Sequence, residues 1–535
     1  MHPLPIVSVF ARLIAAVLTL SLVVTPALRH AGAAQPSQPA PVVKLVLLVA
    51  VDQFRYDYLT RFRTGYGQGL HTLLTRGAVF TDAHLEHANT VTAVGHATML
   101  SGALPTVSGI IGNTWYDRET GTSVTSVSDP GRTLIGATGE ASSPHRLLVS
   151  TIADELKMAA GMTATARPRV VGVSMKDRSA ILPVGRSADA AYWFDNASGA
   201  FVTSSYYMPE APGWVGAFNA TRMTDGYAGK RWEFTAGDGG RDLPAEPGAV
   251  LNEAVYTSPF GNDILLAFAK QALVREQLGQ RGVTDVFSVS FSSNDAVGHR
   301  YGPDSPEVRD ISVKTDAVVG ALFADVDRVV GLEHTLVIFT TDHGVAPVPE
   351  DAQAWKLPGG RFAGTVVDTA IQRALDARFG KAAWLLAGGG SVYLNHEVIA
   401  ARSLDGAFVR RVAADAASAV PHVARVYTRE ELLGGTIPSD RVSQRVARSY
   451  HAGRSGDLEI VLEPFWIRAA IGTTHGTPYG YDAHIPLILM GPGIVAGAYH
   501  APASLNDVAP TLAVLLKTAT PSGASGRVLV EALAP

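Results

Sequence analysis

Three β-prone apolar runs of this chain each lead into a side chain able to bind a metal. Asp52 follows 44–51, Asn294 and Asp295 follow 285–291, and Asp342 and His343 follow 334–340. Ligands of open α/β sheets collect at the carboxyl ends of the strands. Three such ends would bring these groups together in space although they lie far apart in sequence. A lone Asp in such a place is ordinarily a loop carboxylate, so the coincidence carries the argument. Asp295 and His299 are four apart, one face of a helical turn, which makes a half-site for zinc. His475 sits in a Gly/Thr-rich loop, 472–478, that can present one more ligand. Gly344 after Asp342 and His343 leaves room for close backbone approach. The chain has no cysteine, so any metal must be held by nitrogen and oxygen donors, which suits borderline or hard cations.

Two further segments carry chemistry. Asn89–Ala97 reads as the start of a helix with Thr90 and Thr92 at its mouth. A helix N-terminus offers free N–H groups and partial positive charge, which favour a phosphate. Thr92 there is a candidate nucleophile and metal ligand; the alternative is that Thr90 or Thr92 is only an N-cap. His96 reads as a structural histidine buried in a small Gly-His-Ala turn. Lys176 and Arg178 follow the strand-like run 169–175. On an extended segment, residues two apart point to one side. The pair could face a doubly charged phosphoryl group, Arg as a fork and Lys as a point charge; two solvated surface charges are the alternative.

The elements that must position these residues alternate along the chain. Strand-like runs occur at 44–51, 285–291, 334–340 and 484–490, and helical patterns at 147–160, 263–277, 306–329 and 505–516. Alternation of this kind predicts an α/β layered sandwich with a mostly parallel sheet. Residues of about 187–250 and 350–465 are expected to be insertions that cap the sheet. The catalytic domain is expected over 44–535. Before it, Arg12, the apolar run Leu13–Val24, Pro26 and the small residues Ala31–Ala33 predict a secretory signal peptide over 1–33, then a flexible leader over 34–43. An uncleaved anchor is the alternative, although the run is short for a membrane span of ~20 residues. The expected product is a periplasmic or secreted monomer with no membrane span once the signal is removed. Apolar residues make up 47% and charged residues 17%, with a net charge of -4. That composition excludes a disordered chain and gives no basic excess for nucleic acid.

Taken together, the motifs resemble the alkaline phosphatase superfamily, and most of all its Thr-nucleophile, phosphate-irrepressible alkaline phosphatases. The motifs are Val51–Asp57, Thr90–His96, Gly109–Asn113, Lys176–Arg178, Asp295–His299, Thr341–Gly344 and Thr474–Pro478, in that order along the chain. Asn89 stands where the pattern has Pro. The resemblance implies a three-layer α/β fold and two Zn2+ per chain. Asp295, His299 and His475 would hold one ion; Asp52, Asp342, His343 and the Thr92 oxygen would hold the other. It further implies that Asn113, Lys176 and Arg178 bind the phosphoryl oxygens of small-molecule phosphate esters, cleaved through a phosphothreonine. The rival within the superfamily is a nucleotide pyrophosphatase/phosphodiesterase, whose site should be apolar where Lys176 and Arg178 stand. A sulfatase would need a formylglycine, for which this chain has no Cys. A phosphoethanolamine transferase would bring several membrane helices. From another class, the chain could be a non-catalytic zinc-binding exported protein.

Overall fold

The computed structural model describes residues 42–162, 166–235, 237, 239–388 and 390–535. The expected signal peptide and most of the leader lie outside them. Among the described residues no helix is long and apolar enough to cross a membrane.

The centre is a ten-stranded sheet. In chain order its strands are β1 (Leu45–Val51), β2 (Ala78–Phe80), β3 (Leu134–Ile135), β4 (Val170–Ser174), β5 (Ala190–Asp195), β6 (Ala200–Ser204), β7 (Asp285–Phe291), β8 (Thr335–Thr340), β9 (Leu487–Met490) and β10 (Gly497–Tyr499). Across the sheet they run β10-β2-β9-β8-β1-β7-β4-β5-β6-β3. Only β6 and β9 oppose the rest. An unbroken apolar run shows that a strand is buried on both faces but not which way it runs. Hence the segment 484–490 was readable as a strand and its antiparallel direction was not.

β1 shows why three layers form. All seven of its residues are fully buried. Leu45, Leu47, Val49 and Val51 join one apolar cluster with Ile264, Phe268, Val319 and Leu322, from helices Pro259–Arg275 and Pro306–Val329. Val46, Leu48 and Ala50 join another with Met99, Leu100, Ile152 and Leu512. The two-residue period of the strand divides its side chains between the two helical layers.

Some expectations need correction. The helix expected over 147–160 is helical only over Ile152–Ala160, because Thr151 and Asp154 close a capping box at its start. Residues 190–204, expected within a capping insertion, form β5 and β6 of the central sheet, β5 pairing in parallel with β4. Their short alternating runs are sheet strands near its edge. Residues 360–467 hold an apolar cluster separate from those of the central sheet. Strands Val423–Thr428 and Leu458–Leu462 pair antiparallel. With helices Thr365–Phe379 and Gly406–Ser418 they share an apolar cluster around Ile371, Trp384, Val409 and Leu458.

Candidate active site and metal centre

Four adjacent parallel strands, β8-β1-β7-β4, deliver the site from their carboxyl ends. Asp342 and His343 come two and three residues after β8, Asp52 directly after β1, Asp295 four after β7 and Lys176 two after β4. Asp295 lies in the first turn of helix Ser293–Tyr301, and His299 follows one turn later. The loop carrying His475 is docked on this helix, since Thr473 N–H donates to the His299 carbonyl at 2.9 Å.

The groups form two clusters. In the first, His299 Nε2 is 3.3 Å and His475 Nε2 3.6 Å from Asp295 Oδ1, and the two Nε2 atoms face each other at 3.2 Å. In the second, Asp52, Asp342 and His343 are all fully buried, with His343 Nε2 3.2 Å from Asp342 Oδ2. The clusters adjoin. The His343 and His475 rings stack with centroids 3.5 Å apart. Lys176 Nζ donates to Asp52 Oδ2 at 3.0 Å and to Asp295 Oδ2 at 2.6 Å, so one ammonium ties both clusters. Burial would lower the Lys176 pKa, but Asp295 and Asp52 outweigh it and hold the group charged.

The donor set fits divalent cations. His299, His343 and His475 each lay Nδ1 against a backbone carbonyl, those of Thr473, Gly344 and Thr90, at 2.8–2.9 Å. That bond fixes Nδ1–H and turns the Nε2 lone pair inward, the orientation of metal-binding histidines. Asp342 Oδ2 and His343 Nε2 are buried and form no regular hydrogen bond, facing only each other and, for Asp342, the His96 ring. Such orphans are costly unless something charged meets them. Burial, with the His343 and His299 charges, pushes the His475 pKa well below the ordinary imidazole range, so it stays neutral. For His299 and His343 burial also lowers the pKa, but Asp295 and Asp342 respectively raise it further. Protons and a cation therefore compete for those nitrogens.

His96 needs a fuller account than a packing histidine. It is fully buried, with Nε2 3.4 Å from Asp52 Oδ1 and Nδ1 3.4 Å from Asp342 Oδ2. By distance alone Asp52, His96 and Asp342 would form a ligand trio. Its ring nitrogens are already engaged, however, Nδ1 with the Thr92 carbonyl at 2.9 Å and Nε2 with Ser290 Oγ at 2.8 Å. His343 is the histidine with a nitrogen to spare. Burial pushes the His96 pKa down, yet Asp52 and Asp342 bring it up to about 9. His96 is thus a charged brace between two carboxylates.

Thr92 opens helix Thr92–Ser101, which is buried along its whole length and has no side-chain cap. Packing sets its place. Any side chain at Gly95 would collide with the Asp342 backbone, so this glycine lets the helix touch the second cluster. Asn113 Oδ1 accepts Ala93 N–H at 2.8 Å, which puts Asn113 at the same helix mouth. Arg178 is placed differently from the expectation. Lys176 is the extended N-cap of helix Asp177–Ile181, and Arg178 lies inside that helix rather than on an extended segment. Arg178 bonds none of the proposed ligands, and its Nε is buried without a partner.

Three supporting residues were given no ligand or phosphoryl-binding role from sequence. Gln53 has φ of 60°, unusual for a non-glycine. Its N–H donates to Asp342 Oδ1 at 3.1 Å and its Nε2 to Asp295 Oδ1 at 2.6 Å, linking the clusters a second time. Ser290 Oγ donates to Asp52 Oδ1 at 2.9 Å. Thr90 holds the His475 loop: its carbonyl meets His475, its Oγ1 accepts Gly476 N–H at 3.2 Å and donates to the Thr477 carbonyl at 3.0 Å. Their adjacency to Asp52, Thr92 and β7 is the only sequence signal they give.

Known proteins share this architecture. Residues 46–481 match the family described as type I phosphodiesterase / nucleotide pyrophosphatase. The chain is 34% identical to alkaline phosphatase PafA of Elizabethkingia meningoseptica, over 94% of this chain and 96% of that protein. It is also 34% identical to alkaline phosphatase PhoV of Synechococcus elongatus, over 92% and 93%. The crystal structure of wild-type PafA superposes with a TM-score of 0.85 over 93% of this chain and the whole of that one. With two ligand clusters at the ends of four neighbouring strands and these likenesses over nearly its full length, the chain belongs to the type I phosphodiesterase / nucleotide pyrophosphatase family of the alkaline phosphatase superfamily.

Proposed function

We propose that the chain hydrolyses phosphate monoesters to alcohol and inorganic phosphate through a phosphothreonine on Thr92, with two Zn2+ per chain. The reading rests above all on one arrangement: two nitrogen/carboxylate clusters tied side by side by Lys176, with the Thr92 helix packed on one of them. The likeness to two alkaline phosphatases over nearly the whole chain supports it.

Asp295, His299 and His475 would hold one cation, and Asp52, Asp342, His343 and Thr92 Oγ the other. Three imidazoles with three carboxylates and no thiolate suit zinc. Bound there, two cations would polarise the attacking and departing oxygens of an in-line displacement. Thr92 Oγ attacks phosphorus as the ester P–O bond breaks and the alcohol leaves; water then cleaves the Oγ–P bond and releases phosphate. Asn113, its Oδ1 committed to Ala93 N–H, offers its amide hydrogens to a phosphoryl oxygen. Lys176 and Arg178 would meet the remaining charge, where preorganised cations act most strongly.

The family also includes phosphodiesterases, whose substrates carry one phosphoryl charge fewer. Lys176 lies against both clusters, which favours the dianion of a monoester. Hydrolysis of p-nitrophenyl phosphate should vanish with a chelator, return with zinc and be lost in Thr92→Ala. Lys176→Ala/Arg178→Ala should impair monoesters far more than bis-p-nitrophenyl phosphate. Equal losses would favour the diesterase, and zinc binding without turnover a non-catalytic protein. The N-terminal charge, apolar run and small residues support export to the periplasm or medium.

A further inference from the structure

A cavity of about 280 Å³ opens from Asn113 and His475 and runs between the catalytic layer and the 360–467 layer. Its near wall belongs to the segments that hold the phosphoryl group: Val91 before the Thr92 helix, Ile111 to Asn113, and the His475 loop. Its far wall comes from the insert, with Ile460, Val461, Leu462 and Trp466. Besides His475, Glu459 and Arg468 are the only ionisable side chains in its lining among the described residues. Each is hydrogen-bonded to a neutral group that also lines the cavity. Glu459 accepts the Ser391 hydroxyl at 2.6 Å, and Arg468 donates to the Gly390 carbonyl at 3.3 Å.

The far wall is preformed. The Trp466 ring stacks on His422 with centroids 3.4 Å apart. A side chain at Gly360 would stand 2.6 Å from that ring, so only glycine leaves it in place. The partner strand Val423–Thr428 holds Ile460 opposite Val426. A rigid apolar wall costs little to order when a ligand binds.

Resting on the monoesterase reading above, we propose that this cavity is the leaving-group subsite, and that it selects monoesters of apolar or aromatic alcohols over those of small polyols. An ester whose phosphoryl group lies at Asn113 would direct its alcohol toward Ile111, Ile460 and Trp466. Along Ile111, Ile460 and Trp466 a polyol's hydroxyls would lose water to apolar carbon. Contact with a few such side chains is worth about tenfold in selectivity.

The test compares 1-naphthyl phosphate with sn-glycerol 3-phosphate in the zinc-loaded full chain, for wild type, Ile460→Ser and Trp466→Leu. Each variant should lose five- to tenfold in kcat/KM for the naphthyl ester, while the glycerol ester stays within twofold. That unchanged rate also certifies a folded, loaded catalytic centre. Naphthyl kcat/KM unchanged in both variants would overturn the subsite. So would a parallel fall for both esters in both variants, since the wall would then serve stability and not the leaving group. If the wild type hydrolyses neither ester, the monoesterase reading itself fails, a result distinct from both.

Discussion

At the scale of single residues, the candidate site depends on side chains outside the proposed ligand set. Gln53 joins Asp342 and Asp295 with two hydrogen bonds while holding a strained left-handed backbone. Partners that orient metal ligands typically change metal affinity 10–100-fold. Gln53→Ala should therefore weaken zinc binding by roughly that factor, read by competition against a coloured chelator. Activity at saturating zinc should fall far less. An unchanged affinity would show that Gln53 only fills space. Gly95 makes a different demand, since a methyl group there would run into the Asp342 backbone. Gly95→Ala should cost about 1–3 kcal/mol of stability through overpacking and depress turnover with it. Gly480→Ala, where a side chain meets open space, should leave both intact. Thermal unfolding and initial rates of the two variants decide the point.

At the scale of elements, one buried carboxylate ties the insert to the hairpin of residues 114–125. Asp457 is fully buried before strand Leu458–Leu462. It accepts from Arg118 at 2.6 Å, His396 at 2.8 Å, Arg410 at 3.2 Å and Leu394 N–H at 2.8 Å. Burial alone would raise its pKa, but the His396 bond and charge, the Leu394 N–H and Arg118 bring it down to about 2 from 3.8. A folded pKa below the unfolded one adds stability above pH 3.8, and that stability is lost as pH falls to about 2. At ~1.4 kcal/mol per unit the contribution is about 2 kcal/mol. Asp457→Asn should cost about 3 kcal/mol at neutral pH, because the Arg118 guanidinium loses its counter-charge and Arg410 keeps only that of Glu430. It should also flatten the acid limb of stability between pH 4 and 2. Urea midpoints across pH measure both; a variant that retains the wild-type acid limb would contradict the assignment. β1, β7 and β8 were legible in the sequence because strands buried on both faces are continuous apolar runs. The direction of β9 and the place of β5 and β6 were not, since partner choice is settled by tertiary packing. Likewise Arg178 was misplaced because a short helix beginning at Asp177 leaves little trace in five residues.

At the scale of the whole molecule, the sheet order creates the site. β8, β1, β7 and β4 are neighbours in space and far apart in sequence, and their carboxyl ends gather Asp342, Asp52, Asp295 and Lys176. That Asp342, Asp52, Asp295 and Lys176 follow strands was legible from the sequence. What joins them was not. The two bonds of Gln53, the charged brace of His96 and the Thr90 hold on the His475 loop all depend on contacts across hundreds of residues. The cavity beside Asn113 and His475 is lined by both the catalytic layer and the insert. The central claim is that Thr92 lies beside two cations held by these clusters. The most direct test is anomalous diffraction at the zinc edge from crystals grown with zinc. The account predicts two peaks ~4 Å apart. One should lie among Asp295, His299 and His475, the other among Asp52, Asp342 and His343 with Thr92 Oγ on it. A single peak, or a second ion bound to His96 in place of His343, would contradict it.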